Sequence, residues 1–422
     1  MNNWILFTSL RHFKAKRKES GDTSTFLSII GILSGVMTMI TVIGVMNGFQ
    51  GSKIDIRVEV GSSHITLEPK TENSNLNTDQ INNLSWVNCI YKSSDFITAA
   101  NSEWDSEIIG VEVNSVPENI LEIDVGFNSW VRVISGKFDL MEANTVIIGY
   151  VFAKNRHIAV GDKIYLLSLK GDNNNLKPEQ IEFDVRGIYK TGSGEYDENR
   201  VFISNSDSEK YFIPSNDFIY KIKINDRTRY KTVVDEINNI PRIEDNYLIK
   251  SWRDYNTTYF SALKNEKDLM TVLIGLIFLV VGVNIFNSVR RSVYLRFEEI
   301  SVLKTMGATS SDIQWVFILE SFFIGFIGAS IGVLWGLLVV NNINLIFSRI
   351  ELVINNFLNI ISGQSISMYG SSFFYINKVP VHVFLNETIF VFLSAVTTSV
   401  IAAIAASRRV SLIRPGEVIR NE

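Results

Sequence analysis

The hydrophobic pattern divides the chain into two kinds of material. Four runs are long and almost free of charge: Phe26–Met46, Leu269–Val289, Ile313–Val340 and Ile389–Ala406. Each reaches the roughly 18–20 apolar residues that carry a helix across about 30 Å of hydrocarbon. Between the first and second runs lie about 220 residues patterned like a water-soluble domain. There the apolar positions alternate, as in SSHITLEP (Ser62–Pro69), which puts Ile65 and Leu67 on one face of a strand. Further strands are expected at Asn144–Tyr150, Asp162–Leu169, Glu182–Tyr189, Arg200–Ser204 and Ile219–Asn225. Helical patterns fall at Val151–Arg156, Asp207–Phe212 and Tyr230–Asn239. Strands and helices mix without a βαβ rhythm, which predicts an α+β domain. GDNNNLKP (Gly171–Pro178) is a polar loop between two strands, a hairpin tip or a projection for a partner. From Tyr255 to Met270 the pattern runs helically into the second apolar run, and a stiff joint is expected there.

Charge then orients the spans. Residues 1–24 carry five Lys/Arg, residues 290–312 carry four, and the tail 407–422 carries Arg408, Arg409, Arg414 and Arg420. The 45-residue loop 342–386 carries only Arg349 and Lys378. Basic residues near membrane ends mark the cytoplasmic side. Both termini and the 290–312 hairpin are therefore expected in the cytoplasm, with the large domain and the 342–386 loop outside. RHFKAKRK (Arg11–Lys18) before an apolar run imitates a secretory signal. The run exceeds the usual signal core of about 7–15 residues, and a retained signal anchor is expected.

Composition removes several classes of function. Residues 49–265 hold 24 Lys/Arg against 32 Asp/Glu, so no basic block suggests nucleic acid. One cysteine, Cys89, cannot form an internal disulfide, and four scattered histidines offer no metal-ligand spacing, so no metal is expected. No GxxxxGK[ST] occurs, so no P-loop cradles ATP. No nucleophile–base pair stands out, and no catalytic residue is assigned. No span carries a charge near its middle, although Glu320 lies about two turns into the third, which argues against an ion-coupled carrier.

Small residues line the spans. Gly325, Gly328, Gly332 and Gly336 fall near one face of the third, and Gly31 and Gly35 lie in the first. Such strips let helices approach closely, either as ordinary bundle packing or as a seam that repacks between two states. Asn284 and Asn287, near the inner end of the second, are expected to satisfy backbone or interfacial water. The hairpin EEISVLKTMGATSSDI (Glu298–Ile313) reads as a short amphipathic helix. Glu298 and Glu299 favour its start, Ile300, Leu303 and Met306 share a stripe, Lys304 sits in the last turn and Gly307 ends it. Ser310 or Ser311 with Asp312 is expected to cap the next helix. The stripe suits either lipid headgroups or a groove in a partner protein.

EEISVLKTMGAT resembles the coupling segment of permeases of the FtsX/MacB-type superfamily. The likeness extends along the chain. STFLSIIGILSGVMTMITVIGVMNGFQ (Ser24–Gln50) is similar to the first span of lipoprotein-releasing permeases of the LolC/LolE kind. GKFDLMEANTVIIGYVFAKNRHIAVGDKIYLLS and FDVRGIYKTGSGEYDENRVFIS resemble their periplasmic domain, SWRDYNTTYFSALKNEKDLM its return to the membrane, and SRRVSLIRPGEVIRNE their tail. One departure is RFEEI, where Arg296–Phe297 stand in place of an expected lysine before the acidic pair.

The resemblance implies a membrane protein with four transmembrane α-helices and a large α+β periplasmic domain between helices 1 and 2. The expected segments are 1–24, cytoplasmic; 25–48, helix 1; 49–265, periplasmic; 266–289, helix 2; 290–312, coupling hairpin; 313–341, helix 3; 342–386, periplasmic loop; 387–406, helix 4; and 407–422, cytoplasmic tail. It implies a non-catalytic permease subunit of an ATP-driven complex in the bacterial inner membrane. That complex extracts acylated lipoproteins from the outer leaflet and hands them to a periplasmic chaperone. The implied partners are two copies of an ABC ATPase subunit that hold the ATP and Mg, a second permease (paralogue or self), and a triacylated lipoprotein. This chain itself is expected to bind no cofactor. ATPase coupling falls to Glu298, Glu299, Ile300, Leu303, Lys304, Met306 and Gly307. Lipoprotein contact is expected at Met37, Ile40, Val45, Met46, Phe49, Met270, Leu273 and Ile277. Two other readings stand beside it: a mechanotransmission permease that drives a periplasmic hydrolase or efflux partner, and a sensor.

Overall fold

Four helices carry the apolar runs in the computed structural model, which describes residues 3–14, 22–70, 76, 78–103, 107–170, 177–212, 218–241, 243–361 and 378–408. Span one is the helix Asp22–Ile56, span two Thr257–Leu295, span three Ser310–Asn341 and span four Leu385–Ser407. All four are long and apolar enough to cross a membrane. Residues 409–422 of the expected tail 407–422, residues 15–18 of the basic segment Arg11–Lys18 and residues 171–176 of the Gly171–Pro178 loop lie outside the described residues. The spans and the large insertion form two compact units.

In the membrane unit, spans three and four pack closely, and the helix Asn3–Lys14 lies against span three. Span two buries only a narrow stripe, Val281, Ile285, Val289 and Val293, spaced four residues apart along one face. The loop expected at 342–386 is in part a helix, Ile343–Ile361, separated from span three by the non-helical Asn342 (φ −108°, ψ 15°). Its apolar residues recur at helical spacing, a signal that the reading of 342–386 as a loop did not use.

The domain between spans one and two holds a ten-stranded mixed sheet. Its strands are β1 (Ile65–Pro69), β2 (Val87–Ser102), β3 (Ile109–Val116), β4 (Arg132–Gly136), β5 (Thr145–Gly149), β6 (Lys163–Lys170), β7 (Lys177–Lys190), β8 (Arg200–Ser204), β9 (Ile219–Ile224) and β10 (Tyr247–Ser251). They run in the order β10-β1-β9-β2-β3-β8-β5-β7-β4, with β6 bridging β2 and β7. Two pairings, β3–β8 and β5–β7, are parallel, as an α+β domain allows. β5 and β8 are buried at every position, which explains their unbroken apolar runs. The helices Tyr150–Asn155 and Asn205–Tyr211 follow them directly. β2, β3, β4 and β10 were not read from the pattern, because polar residues interrupt them; the buried Ser93, Ser94, Asn114 and Ser115 bond to one another or to neighbouring groups instead.

The helical run into span two is continuous from Thr257, with a break just before it. A short helix, Trp252–Tyr255, ends at Asn256, and span two starts afresh at Thr257. Ser251 and Asp254 form a capping box that starts the short helix. The run expected from Tyr255 is thus one helix from Thr257 onward, with a break at Asn256 just before it.

Candidate functional site

Spans one and two leave a cavity of about 630 Å³ between them. Span one contributes Gly31, Ser34, Gly35, Met39, Val42, Ile43 and Met46; span two contributes Met270, Leu273, Ile274, Leu276, Ile277, Val280, Val281 and Asn284. The two helices approach closely at Gly35, whose Cβ position lies 3.1 Å from Val281 Cγ2. Apart from Ser34 and Asn284 the walls are aliphatic or thioether, chemistry that accepts hydrocarbon and offers nothing to a polar solute. Methionine at positions 39, 46 and 270 gives an adaptable lining.

Of the expected lipoprotein contacts, Met46, Met270, Leu273 and Ile277 line this cavity. Met37, Ile40, Val45 and Phe49 do not. Ile40 is buried against span three, where a Cβ on Gly336 would sit 3.0 Å from its Cβ. The face expected on span one differs from the cavity face by part of a turn, because apolar residues surround that helix and no periodicity distinguishes cavity from seam. Met39, Val42 and Val280, not among the expected contacts, also line the cavity.

The small residues sort into distinct contacts. Gly328, Gly332 and Gly336 face Ile32, Val36 and Ile40, a ridge of every fourth residue on span one. Gly325 instead meets Ser399 of span four. Gly31 has nothing within 4 Å of its Cβ position and belongs to the cavity wall rather than to a packed seam. Gly48 packs under the Pro380 carbonyl, and the His382 N–H donates to Gly44 O at 2.8 Å. At the same end Asn47 donates to Glu387, which also takes Lys267 Nζ at 3.4 Å, so spans one, two and four share one polar contact.

The hairpin helix is Phe297–Thr305, and Gly307 ends it at φ +98°, a conformation that glycine adopts without strain. Its orientation differs from the expected one. Ile300 is buried and Leu303 packs against the membrane core, so two of the three stripe residues face the chain's own spans. Glu298, Glu299, Val302 and Met306 are exposed, Met306 at 79%. The cap of span three is Thr309, one residue before the expected serines: its hydroxyl accepts from the Asp312 N–H, and Asp312 accepts from the Thr309 N–H. Arg296, at the departure noted above, reaches the buried Glu320 of span three with two nitrogens at 3.4 Å. The sequence distance between them hid this pair.

Within the domain, the root of each adjoining helix is fixed. Past Ile56 the chain makes a π-helical turn, Arg57–Ser62. Lys223 of β9 donates to the Glu59 carbonyl at 2.8 Å and pairs with its carboxylate. His64 Nδ1 accepts from the Ile224 N–H at 2.9 Å, which leaves Nε2 to bond Glu59. Asn256 donates to Ser62 Oγ at 2.9 Å, tying the break before span two to the end of that turn. Arg57 stacks 4.2 Å from the Tyr259 ring centre. These side-chain bonds lie within the domain, where they fix the ends of the two helices to each other and to β9.

A four-span membrane protein with a large β-rich domain between its first two spans has the architecture of an FtsX/MacB-type permease. The chain belongs to the family of the MacB-like periplasmic core domain, which it matches over residues 25–240, and residues 271–415 match the FtsX-like permease C-terminal family. It is similar along nearly its whole length to curated relatives. The lipoprotein-releasing system transmembrane protein LolC of Neisseria meningitidis is 26% identical over 437 residues, covering 99% of each chain. The LolC of Xylella fastidiosa is 24% identical over 424 residues, covering 98% of each, and that of Haemophilus influenzae 28% identical over 360 residues, covering 82% of this chain and 86% of that one.

Proposed function

We propose that this chain is the permease subunit of an ATP-driven complex that extracts acylated lipoproteins from the outer leaflet of the inner membrane and passes them to a periplasmic chaperone. The observation that carries the reading is the aliphatic cavity between spans one and two. It offers acyl chains a place beside the bilayer, and the names of the full-length relatives favour lipoprotein as the cargo.

The energetics require a partner. Each CH₂ leaving the bilayer costs about 0.8 kcal/mol, so a sixteen-carbon chain costs roughly 12 kcal/mol unless it moves to another apolar surface. This sequence has no P-loop, so ATP and Mg belong to a separate ATPase, two copies of which work with this chain and a second permease, paralogue or self. The ATPase docks on the exposed face of the hairpin helix, at Glu298, Glu299, Val302 and Met306. Ile300 and Leu303 carry its displacement inward through the core, and Arg296 carries it to Glu320 in span three. Span three is geared to span one through Gly328, Gly332 and Gly336, so movement of one narrows or opens the cavity on the other side of span one. The helices of spans one and two run on into the domain, where Glu59, Lys223, Ser62 and Asn256 anchor their ends, and carry movement to it. In this reading both termini are cytoplasmic and the domain is periplasmic.

Photocrosslinking tests the reading. A photoreactive residue at Met46 or Leu273 is expected to capture a triacylated lipoprotein in membranes, and one at Ile40 is not. Absence of capture at every cavity position, with the complex assembled and hydrolysing ATP, overturns it.

A further inference from the structure

The helix Ile343–Ile361 is absorbed neither by the cavity nor by the coupling path. Its nineteen residues contain two charges, Arg349 and Glu351. Asn344, Ser348, Glu351, Asn355 and Asn359 recur every three or four residues and share one face. The opposite face is formed by Ile346, Ile350, Val353, Ile354, Phe357 and Ile360. This chain leaves much of that face uncovered: Val353 is 68% and Ile360 84% exposed. Isolated apolar residues on a surface need no explanation, but a continuous aliphatic and aromatic face along five turns does.

Two observations identify what covers it. The helix begins one residue beyond span three, so the chain reaches it at the surface of the bilayer. Its first turn is then held at that depth. The Asn344 amide donates to the Val379 carbonyl at 3.2 Å, and its oxygen accepts from the Val379 N–H at 2.8 Å. Val379 adjoins Pro380, which is seated against Gly48 at the end of the long apolar run of span one. The start of the apolar face is thereby set at the boundary between headgroups and acyl chains.

We propose that Ile343–Ile361 is an interfacial helix that lies in the surface of the membrane at which span three ends, with its aliphatic face in the acyl region of the phospholipid and its asparagine face in water. A strong division of faces and phenylalanine on the apolar side suit that placement. With Asn342 as the bend and Asn344 as the tether, the helix fixes the depth of span three against the end of span one.

Spin labels at single cysteines test the proposal. In full-length Cys89→Ser protein in phosphatidylethanolamine–phosphatidylglycerol nanodiscs, labels are placed at Val353, Phe357 and Ile360 and at Ser348, Asn355 and Asn359. Collisions with oxygen are expected to exceed those with a nickel chelate several-fold on the first set, with the order reversed on the second. Equal nickel access on both faces places the helix in water and overturns the proposal. Lipid-only access on both faces makes it a buried or spanning element and also overturns it. Labels on the apolar face shielded from both reagents, with spin–spin broadening, mean that a second copy covers that face, and lipid is then the wrong occupant.

Discussion

Arg296 and Glu320 meet across the start of the hairpin, each guanidinium nitrogen 3.4 Å from its own carboxylate oxygen. Glu320 is 4% exposed and no other cation is paired with it among the described residues. Removing one partner of a buried pair costs roughly 3–5 kcal/mol, whereas replacing both with apolar residues costs much less. Arg296→Met alone is expected to lower stability by about 3 kcal/mol, near the lower end because the contact is long, and the double variant with Glu320→Leu to recover most of it. A double-mutant cycle of denaturation in detergent measures this. In the assembled complex the double variant is expected to hydrolyse ATP but release less lipoprotein.

Gly332 and Gly31 lie on one apolar background with opposite surroundings. A Cβ at Gly332 would come 2.8 Å from Val36 Cβ and 3.0 Å from Leu33 O, and one at Gly31 would meet nothing within 4 Å. Gly332→Ala is expected to destabilise by about 1–3 kcal/mol through overpacking, and Gly31→Ala to be close to neutral. Thermal midpoints of the two purified variants should separate by several degrees; equal midpoints would show that the seam yields freely.

Filling the cavity separates cargo binding from coupling. Leu273→Trp places a large ring into the space between spans one and two. Release of lipoprotein is expected to fall at least tenfold while ATP hydrolysis stays within twofold. Met37→Trp, on span one but outside the cavity lining, serves as the control with little effect on release.

Glu112 and Arg200 make the domain acid-sensitive. Burial by itself would raise the Glu112 carboxyl, but the Arg200 charge and hydrogen bond outweigh it and hold the group below its ordinary value of 4.5. The unfolded state then binds the proton more readily than the folded state. This contribution to stability is full above the ordinary value and is lost as pH falls through the depressed folded one. Glu112→Gln is therefore expected to flatten the loss of stability below about pH 4.5. Melting temperature followed from pH 7 to pH 3 shows whether the two curves converge.

Cys89 supplies an internal reporter. Burial first, and then the charge of Asp124, push its thiol up to about 12. The native protein is expected to resist maleimide at pH 7.5 and to label at one site after denaturation. Met306→Cys, in contrast, should label at once in the isolated subunit and become protected when an ATPase subunit is bound.

Much of the molecule was legible along the chain. The four spans were legible because a membrane-crossing helix must be apolar over about 20 residues whatever it packs against. The hairpin helix was legible because its acidic start and Gly307 act within a turn or two. β1 and β5 to β9 were legible because unbroken or alternating apolar runs survive any tertiary arrangement. The strands β2 and β3 were not, since their buried serines and Asn114 are satisfied by groups distant in sequence. Nor was the interruption at Asn256, whose amide is satisfied partly by Ser62.

The sequence by itself determined that this is a membrane protein, where its spans lie and which stretch turns between spans two and three, because those properties are local sums of hydrophobicity, charge and capping. Only the tertiary structure decided which side of span one faces a cavity and which faces glycine, that Ile300 and Leu303 point inward, and that Arg296 answers Glu320. A helix that is apolar all round carries no record of its neighbours, so its faces acquire different meanings only when the other helices are in place.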